Sequence, residues 1–286
     1  MPLKTASKIL KGDLKGAMEE VQLKIERTIG LAGIVVISLS SMLGSGLFVM
    51  PAFAAEIMGP GIWLAFLLAA TVVLPGALSK SELASAMPSS GGSYVYLERT
   101  YGPLFGTISG LGLWASFLLK AAFALIGFTA YMYAVNTYFD ISFNKTIISI
   151  CALFFITVIN ILGVKKVKAI QTPILTVTLL MLLAVCIYQL FDPNTDYARP
   201  IDSAFNAEPW KIAETSAFVF VAYAGVTKVA AIGGEVKDPG RNLPLGIMIS
   251  LAIATFLYCV VTYIMMAALP GEWWLDASGR CRTGHS

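Results

Sequence analysis

Residues 41–51 read SMLGSGLFVMP, in the middle of an apolar run that extends over about 30–57. Such a run is long enough for a membrane-spanning helix, which needs about 20 mostly apolar residues. Gly44 and Gly46 bracket Ser45, and glycine is the residue that most readily lets a helix unwind. Because a membrane interior tolerates unpaired backbone groups only where they line a protein cavity, the stretch predicts a broken helix beside a binding site. The alternative is that the glycines only permit close packing of intact helices.

The whole chain has the composition of an integral membrane protein. Its 286 residues are 57% hydrophobic and only 13% charged, whereas a soluble domain carries about 25% charged residues. Because each backbone polar group must be paired in lipid, the apolar runs predict helices and an all-α membrane protein. Seven spans are predicted, at about 30–57, 61–87, 103–139, 146–163, 170–191, 212–235 and 244–269.

Lysine and arginine predict the orientation of these spans. Of the positive residues outside the spans, twelve fall on the side of the N-terminus and five on the other side. The positive-inside rule therefore predicts a multi-pass protein of the cell membrane whose N-terminus is cytoplasmic. The predicted organisation is a cytoplasmic segment at 1–29, a transmembrane domain at 30–269 and an extracellular tail at 270–286. The polar stretch 192–209, with three prolines, predicts an ordered extracellular loop.

A second interruption lies in the sixth span. Tyr223, Ala224 and Gly225 interrupt its middle, and Lys228 follows. Two interrupted spans at corresponding positions of two halves indicate a transporter site, and an offset of five is typical of a five-plus-five inverted repeat. At a break, the N-terminal amides of one half-helix suit a carboxylate, and the carbonyls that end the other half suit an ammonium group. A zwitterion could therefore be held at both ends.

Other classes of function lack the residues that they need. The four cysteines form no CxxC, and the single histidine is His285, so we expect no metal, no cofactor and no catalytic group. Neither HExxH nor GxSxG occurs, which disfavours an intramembrane enzyme. The small net charge of +3 gives no indication of nucleic-acid binding. A seven-span receptor or a channel-like protein remains the alternative, although a receptor would have its N-terminus outside.

Four stretches resemble the amino acid–polyamine–organocation superfamily of transporters, which have the leucine-transporter-like fold. These are GSGLF at 44–48, SELA at 81–84 followed by PSSGGSYVY at 88–96, AYAG at 222–225, and EVKDPGRNLP at 235–244. Their order and spacing make the set more specific than any single motif. The resemblance implies alternating-access transport of an amino acid or related amine, held at the unwound parts of the first and sixth spans.

The resemblance also implies which residues would contact that substrate. Its carboxylate would meet amides near Ser45, Gly46 and Leu47, beside the break at Gly44. Its amine would meet carbonyls of the first and sixth spans, and its side chain would contact the third span and Tyr223. The carbonyls expected to meet the amine are those of Ser41, Met42, Val221 and Ala224. Gly225, which follows Ala224, belongs to the same break in the sixth span.

Two departures from the family pattern affect coupling and completeness. Some proton-coupled relatives have a lysine in the fifth span, where this chain has Thr178. Lys120 and Lys228 are instead the intramembrane lysines, and they are coupling or gating candidates, although a structural tie to exposed carbonyls would also explain them. Family members have ten to twelve spans, so seven spans followed by an unusual tail at 270–286 suggest a truncated or frameshifted product or a gene fragment, and the implied transport is that of the complete transporter.

Overall fold

The computed structural model describes residues 27, 29–87, 91–139, 145–161, 164–193 and 195–269. The described chain is helical throughout, apart from short connections and one isolated parallel bridge between Ile29 and Val236. The predicted N-terminal segment and the tail at 270–286 lie almost wholly outside the described residues.

The helices follow the predicted spans closely. The first span consists of Leu31–Phe48 and Met50–Met58, and a 3-10 turn at Gly59–Gly61 leads into the second span. The third span has the predicted bounds, and the sixth consists of an α-helix followed by a 3-10 segment. The second to seventh spans are Ile62–Ala86, Pro103–Phe139, Lys145–Ile161, Val164–Leu190, Pro209–Val219 with Phe220–Ala231, and Pro239–Ala268.

The described helices include six that are long and apolar enough to cross a membrane, judged by length and composition. The fourth predicted span is the exception, because its helix has 17 residues, at the short end of the range for a spanning helix. Together with the composition, these helices define an all-α, multi-pass membrane protein.

The core lies between the first, second, sixth and seventh spans. Phe66, Tyr223 and Tyr258 are fully buried there, and the Tyr258 ring lies 5.1 Å from each of the other two ring centroids. The third, fourth and fifth spans instead expose most of their described side chains. Four packed spans thus support the two helices that carry the predicted breaks.

One end of the bundle, here called the inner end, is closed by backbone pairing. The Ile29 amide donates to the Glu235 carbonyl at 3.1 Å, and the Lys237 amide donates to the Ile29 carbonyl at 2.9 Å. Around this bridge lies a small buried cluster, consisting of Ile29, Ile34, Ala84, Tyr96, Val229, Ala230, Val236 and Leu243. The start of the first span is therefore tied to the segment that follows the sixth.

The described residues of the stretch 192–209 pack against the opposite, outer end, but they are not only a loop. Residues Ala198–Asn206 form a helix. The prediction missed it because Pro200 suggested irregular structure, yet proline is tolerated in the first turn of a helix. The Trp63 indole donates to the Pro200 carbonyl at 3.1 Å, which holds this helix against the second span.

Candidate functional site

The first span departs from helical geometry at the predicted position. Gly44 has φ −54° and ψ −109°, which lies outside the α region, and the helical segment ends at Phe48 before a new one begins at Met50. Apart from Gly44, its chain neighbours and the nearby backbone of its own helix, no atom lies within 4 Å of the point where a Gly44 side chain would begin. Gly44 is thus an exposed kink with open space beside it.

The sixth span changes its hydrogen-bond pattern over a long stretch. The α-helix ends at Val219, and the next 12 residues, Phe220–Ala231, form a 3-10 helix. Because 3-10 geometry is strained, runs longer than 3–4 residues are uncommon, and a run within a helix often marks a functional hinge. The predicted interruption at Tyr223–Gly225 lies inside this segment.

The two interrupted helices cross in direct backbone contact. A Cβ atom added to Gly225 would lie 2.7 Å from the Met42 nitrogen, and one added to Gly46 would lie 2.9 Å from the Ala222 Cβ. At both positions the neighbouring atoms are too close for any residue larger than glycine. The structure therefore brings Met42 and Gly46 of the first span against Ala222 and Gly225 of the sixth.

Two carbonyls that the sequence analysis assigned to a substrate amine already have protein partners. The Lys120 ammonium donates to the Ser41 carbonyl at 2.9 Å, and the Tyr258 hydroxyl donates to the Met42 carbonyl at 2.7 Å. Both carbonyls lie just before the kink at Gly44. The third and seventh spans thus stabilise the end of the first half-helix.

One face of each interrupted helix stays open. Ser41 is half-buried and Gly44 is exposed on the first span, while Ala224 is half-buried and Val221 and Lys228 are exposed on the sixth. Residues three apart share a face in an α-helix and eclipse each other in a 3-10 helix, so Ser41 with Gly44, and Val221 with Ala224, each mark one side of their helix. These residues form what we call the open face.

The third span lies beside both parts of the open face. Lys120 of this span contacts the Ser41 carbonyl, and the Lys228 ammonium lies 5.9 Å from the centroid of the Phe117 ring. Phe117 and Lys120 are three residues apart and therefore share a face of the third span. Both intramembrane lysines are thus at the region where the three spans meet.

Other predicted site residues are buried. Tyr223 has no exposed surface, and its hydroxyl donates to the Phe66 carbonyl at 3.0 Å. Ser45 and Leu47 are also buried. In this conformation the Tyr223 ring packs between the second and seventh spans, and its predicted contact with a substrate stays a prediction.

A mainly apolar cavity of about 610 Å³ adjoins the second half of the first span. Its wall includes Leu47 and Thr178, together with Tyr131 of the third span and Val261 of the seventh, but no residue of the sixth span. The volume lies within the usual range for small-molecule sites. The cavity therefore brings together two predicted residues, Leu47 and Thr178, at a place separate from the crossing with the sixth span.

Two tyrosine contacts were missed by the sequence analysis. The Tyr258 hydroxyl is buried at the crossing, and the Tyr131 hydroxyl donates to the Phe48 carbonyl at 2.6 Å. A buried tyrosine hydroxyl needs a partner, and Tyr258 stands in the middle of an apolar span. A tyrosine in the middle of an apolar span was therefore the sequence signal from which a buried hydroxyl contact could have been predicted.

Among the described residues no group of three or more histidine, cysteine, aspartate or glutamate side chains could hold a metal ion.

Two interrupted membrane helices that cross near their interruptions are a feature of the class of membrane transporters. Residues 29–278 match the family model described as "Amino acid permease". The chain therefore belongs to the amino acid permease family, within the amino acid–polyamine–organocation superfamily.

Several curated relatives cover most of the chain. An uncharacterized transporter of Mycobacterium tuberculosis (strain ATCC 25618 / H37Rv) is 30% identical over 246 residues, which are 86% of this chain and 54% of that protein. The branched-chain amino acid permease BcaP of Bacillus subtilis (strain 168) is 26% identical over 267 residues, covering 86% of this chain and 56% of its own. The serine/threonine exchanger SteT of the same organism is 26% identical over 250 residues, with the same two coverages. The chain thus spans about half the length of the curated relatives that it matches.

Proposed function

We propose that this chain forms the substrate-binding part of a secondary active transporter that moves an amino acid or related amine by alternating access. The observation that carries the proposal is the crossing of two interrupted helices, Gly44 on one and Phe220–Ala231 on the other. In membrane transporters such paired interruptions supply free backbone dipoles to a substrate at mid-depth. The names of the similar permeases, which include amino acid transporters, support the same substrate class.

The substrate is proposed to bind at the open face. The kink at Gly44 divides the first helix, and the first amides of the part that follows would carry partial positive charge. Amides of Ser45, Gly46 and Leu47 would bind the carboxylate. The amine would meet the carbonyls of Ser41, Met42, Val221 and Ala224.

Alternating access requires that one end of the site open while the other closes. The Ile29–Val236 bridge and the buried cluster around it support a closed inner end in this conformation. We propose that transport requires this bridge to break, because it joins the start of the first span to the end of the sixth. Lys120, Lys228 and Thr178 remain proposals as coupling or gating residues, and proton coupling would require one of the lysines to release its proton during the cycle.

The proposed location is the cell membrane with the N-terminus in the cytoplasm. A reporter fused after residue 286 tests the orientation together with the number of spans. Seven spans with an internal N-terminus place that reporter outside the cell. A reporter on the cytoplasmic side would contradict the proposed topology.

Function is tested with the purified chain in proteoliposomes and in detergent. We expect saturable, stereoselective uptake of one class of amino acid, and a higher unfolding temperature when that amino acid is bound, because a ligand that binds only the folded state stabilises it. A flux that does not saturate would favour the channel-like alternative. If no amino acid or amine is taken up or raises the unfolding temperature, the proposed function is wrong.

A further inference from the structure

Two ammonium groups lie at the same region of the proposed site. The Lys120 side chain of the third span reaches the Ser41 carbonyl at 2.9 Å. The Lys228 ammonium of the sixth span lies over the ring of Phe117, one helical turn from Lys120. Because Phe117 and Lys120 share one face of the third span, both ammonium groups lie beside that face. Placing two like charges together at membrane depth is costly, which makes a functional role the default interpretation.

Neither charge is neutralised by a carboxylate in the part of the chain that the structure describes. Lys120 is bound by a neutral carbonyl near the negative end of the first half-helix, and Lys228 by the electron-rich face of an aromatic ring. The described salt bridge joins Lys211 and Glu208, two exposed residues at the start of the sixth span. The region where the first, third and sixth spans meet therefore has a net positive charge.

We infer that Lys120 and Lys228 select substrates by charge, so that the site takes molecules with a carboxylate and at most one ammonium group. This inference rests on the proposed function, and it narrows the substrate class from amino acids or amines to neutral and acidic amino acids. Lysine, arginine and polyamines are rejected, because their second positive charge meets two ammonium groups and no counter-charge.

The physical basis is electrostatic repulsion beside protein atoms, where the effective dielectric constant is lower than that of water. Two unit charges a few ångströms apart interact far more strongly at a protein's effective dielectric constant than in water. For one lysine near the substrate we expect discrimination of about tenfold or more against a dibasic amino acid. The α-ammonium of a zwitterion is tolerated, because its own carboxylate and the Ser41 and Ala224 carbonyls offset its charge.

The inference predicts how the chain responds to different ligands. The purified chain is heated with leucine, serine, glutamate, lysine, arginine or putrescine, and the same compounds compete for uptake of the best neutral amino acid. We expect at least one neutral or acidic amino acid to raise the unfolding temperature and compete, while lysine, arginine and putrescine do neither.

Variants locate the selectivity on the two lysines. In Lys228→Gln we expect the apparent affinity for lysine to rise about tenfold relative to that for leucine. The exposed Lys228 side chain makes this variant safe for folding. Lys120→Arg keeps the charge and should keep the rejection, whereas Lys120→Gln should relax it if the variant folds. Lys211→Gln removes a cation outside the site, and its ligand selectivity should match that of the unchanged chain.

Different results would contradict the charge selection and the proposed transport function. If lysine or putrescine binds as well as leucine, or if Lys228→Gln and Lys211→Gln have the same selectivity, charge selection is wrong and the transport proposal stands. If no compound of the panel binds or is transported, the proposed function is wrong, and the inference falls with it.

Discussion

Gly225 of the sixth span lies directly against the Ser41 carbonyl of the first, so that an added Cβ would come within 2.6 Å of the Ser41 carbonyl carbon and 2.7 Å of its oxygen. These contacts involve rigid backbone on both sides. The same carbonyl accepts a hydrogen bond from Lys120. One peptide group therefore joins three spans, and the absence of a side chain at position 225 is a condition for that junction.

The first prediction is that Gly225→Ala destabilises the chain and impairs transport. The methyl group must push the first and sixth spans apart, and overpacking of this kind typically costs about 1–3 kcal/mol. The measurement is thermal unfolding in detergent, together with the unfolding-temperature shift caused by the bound amino acid. Gly112→Ala is the matched control, because nothing lies within 4 Å of a Cβ there. If the two alanine variants unfold at the same temperature, the close crossing does not exist.

The second prediction concerns the Tyr258 hydroxyl, which is buried and donates to the Met42 carbonyl. Tyr258→Phe removes the donor but keeps the ring in the core. We expect a loss of about 1–3 kcal/mol, the usual cost of leaving a buried polar group unpaired. Tyr263→Phe serves as control, since it removes a hydroxyl that donates to the Tyr197 carbonyl near the outer end. Equal unfolding temperatures for the two variants would contradict a special role of Tyr258 at the crossing.

The breaks could be predicted from the sequence because their signal is local. Glycines at 44 and 46 interrupt an otherwise apolar span, and Tyr223–Gly225 does so in the sixth. The bounds of the third span were predictable for the same reason, since Pro103 begins a long apolar run in which Lys120 is the one charged residue. A pattern within one helix is enough to identify such features.

The partners across helices could not be predicted in the same way. Tyr258 and Met42 are 216 residues apart, and Lys120 and Ser41 are 79 apart. The sequence identified Lys120 as an intramembrane cation, but the carbonyl that it binds depends on how the third span packs. Tyr223 is a further example, because its position at the break suggested a substrate contact, whereas the rotation of the sixth span turns its ring into the core. Helix rotation is set by packing, which one sequence does not reveal.

A third prediction addresses the inner end. Ile29→Asp places a carboxylate at a residue that is only 5% exposed, and burying an unpaired charge is strongly unfavourable. The bridge to Val236 should therefore open more often. The reporter is a single cysteine at Val229→Cys, in a chain whose native cysteines are replaced, labelled with a membrane-impermeant thiol reagent. The labelling rate should rise about tenfold for each ~1.4 kcal/mol by which the substitution stabilises the open state relative to the closed state.

The control for that experiment is Ile29→Val, which keeps the position apolar. Its labelling rate should stay close to that of the unchanged chain. A substrate that binds with the inner end closed should slow labelling in both variants. Equal labelling of Ile29→Asp and Ile29→Val would show that the Ile29–Val236 bridge does not control access to the inner end.

The last prediction concerns Asp238, which precedes the seventh span. It is the non-glycine residue with positive φ (44°) in the described chain, and it stands directly before Pro239. Left-handed backbone costs an ordinary L-residue about 1–2 kcal/mol, while glycine adopts it freely and aspartate is partly tolerated. Asp238→Ala should therefore lower the unfolding temperature, and Asp238→Gly should preserve or raise it. At exposed Asp202, inside the helix Ala198–Asn206, the order of the two substitutions should reverse, because alanine favours a helix over glycine by about 1 kcal/mol. The same order at both sites would contradict the left-handed conformation of Asp238.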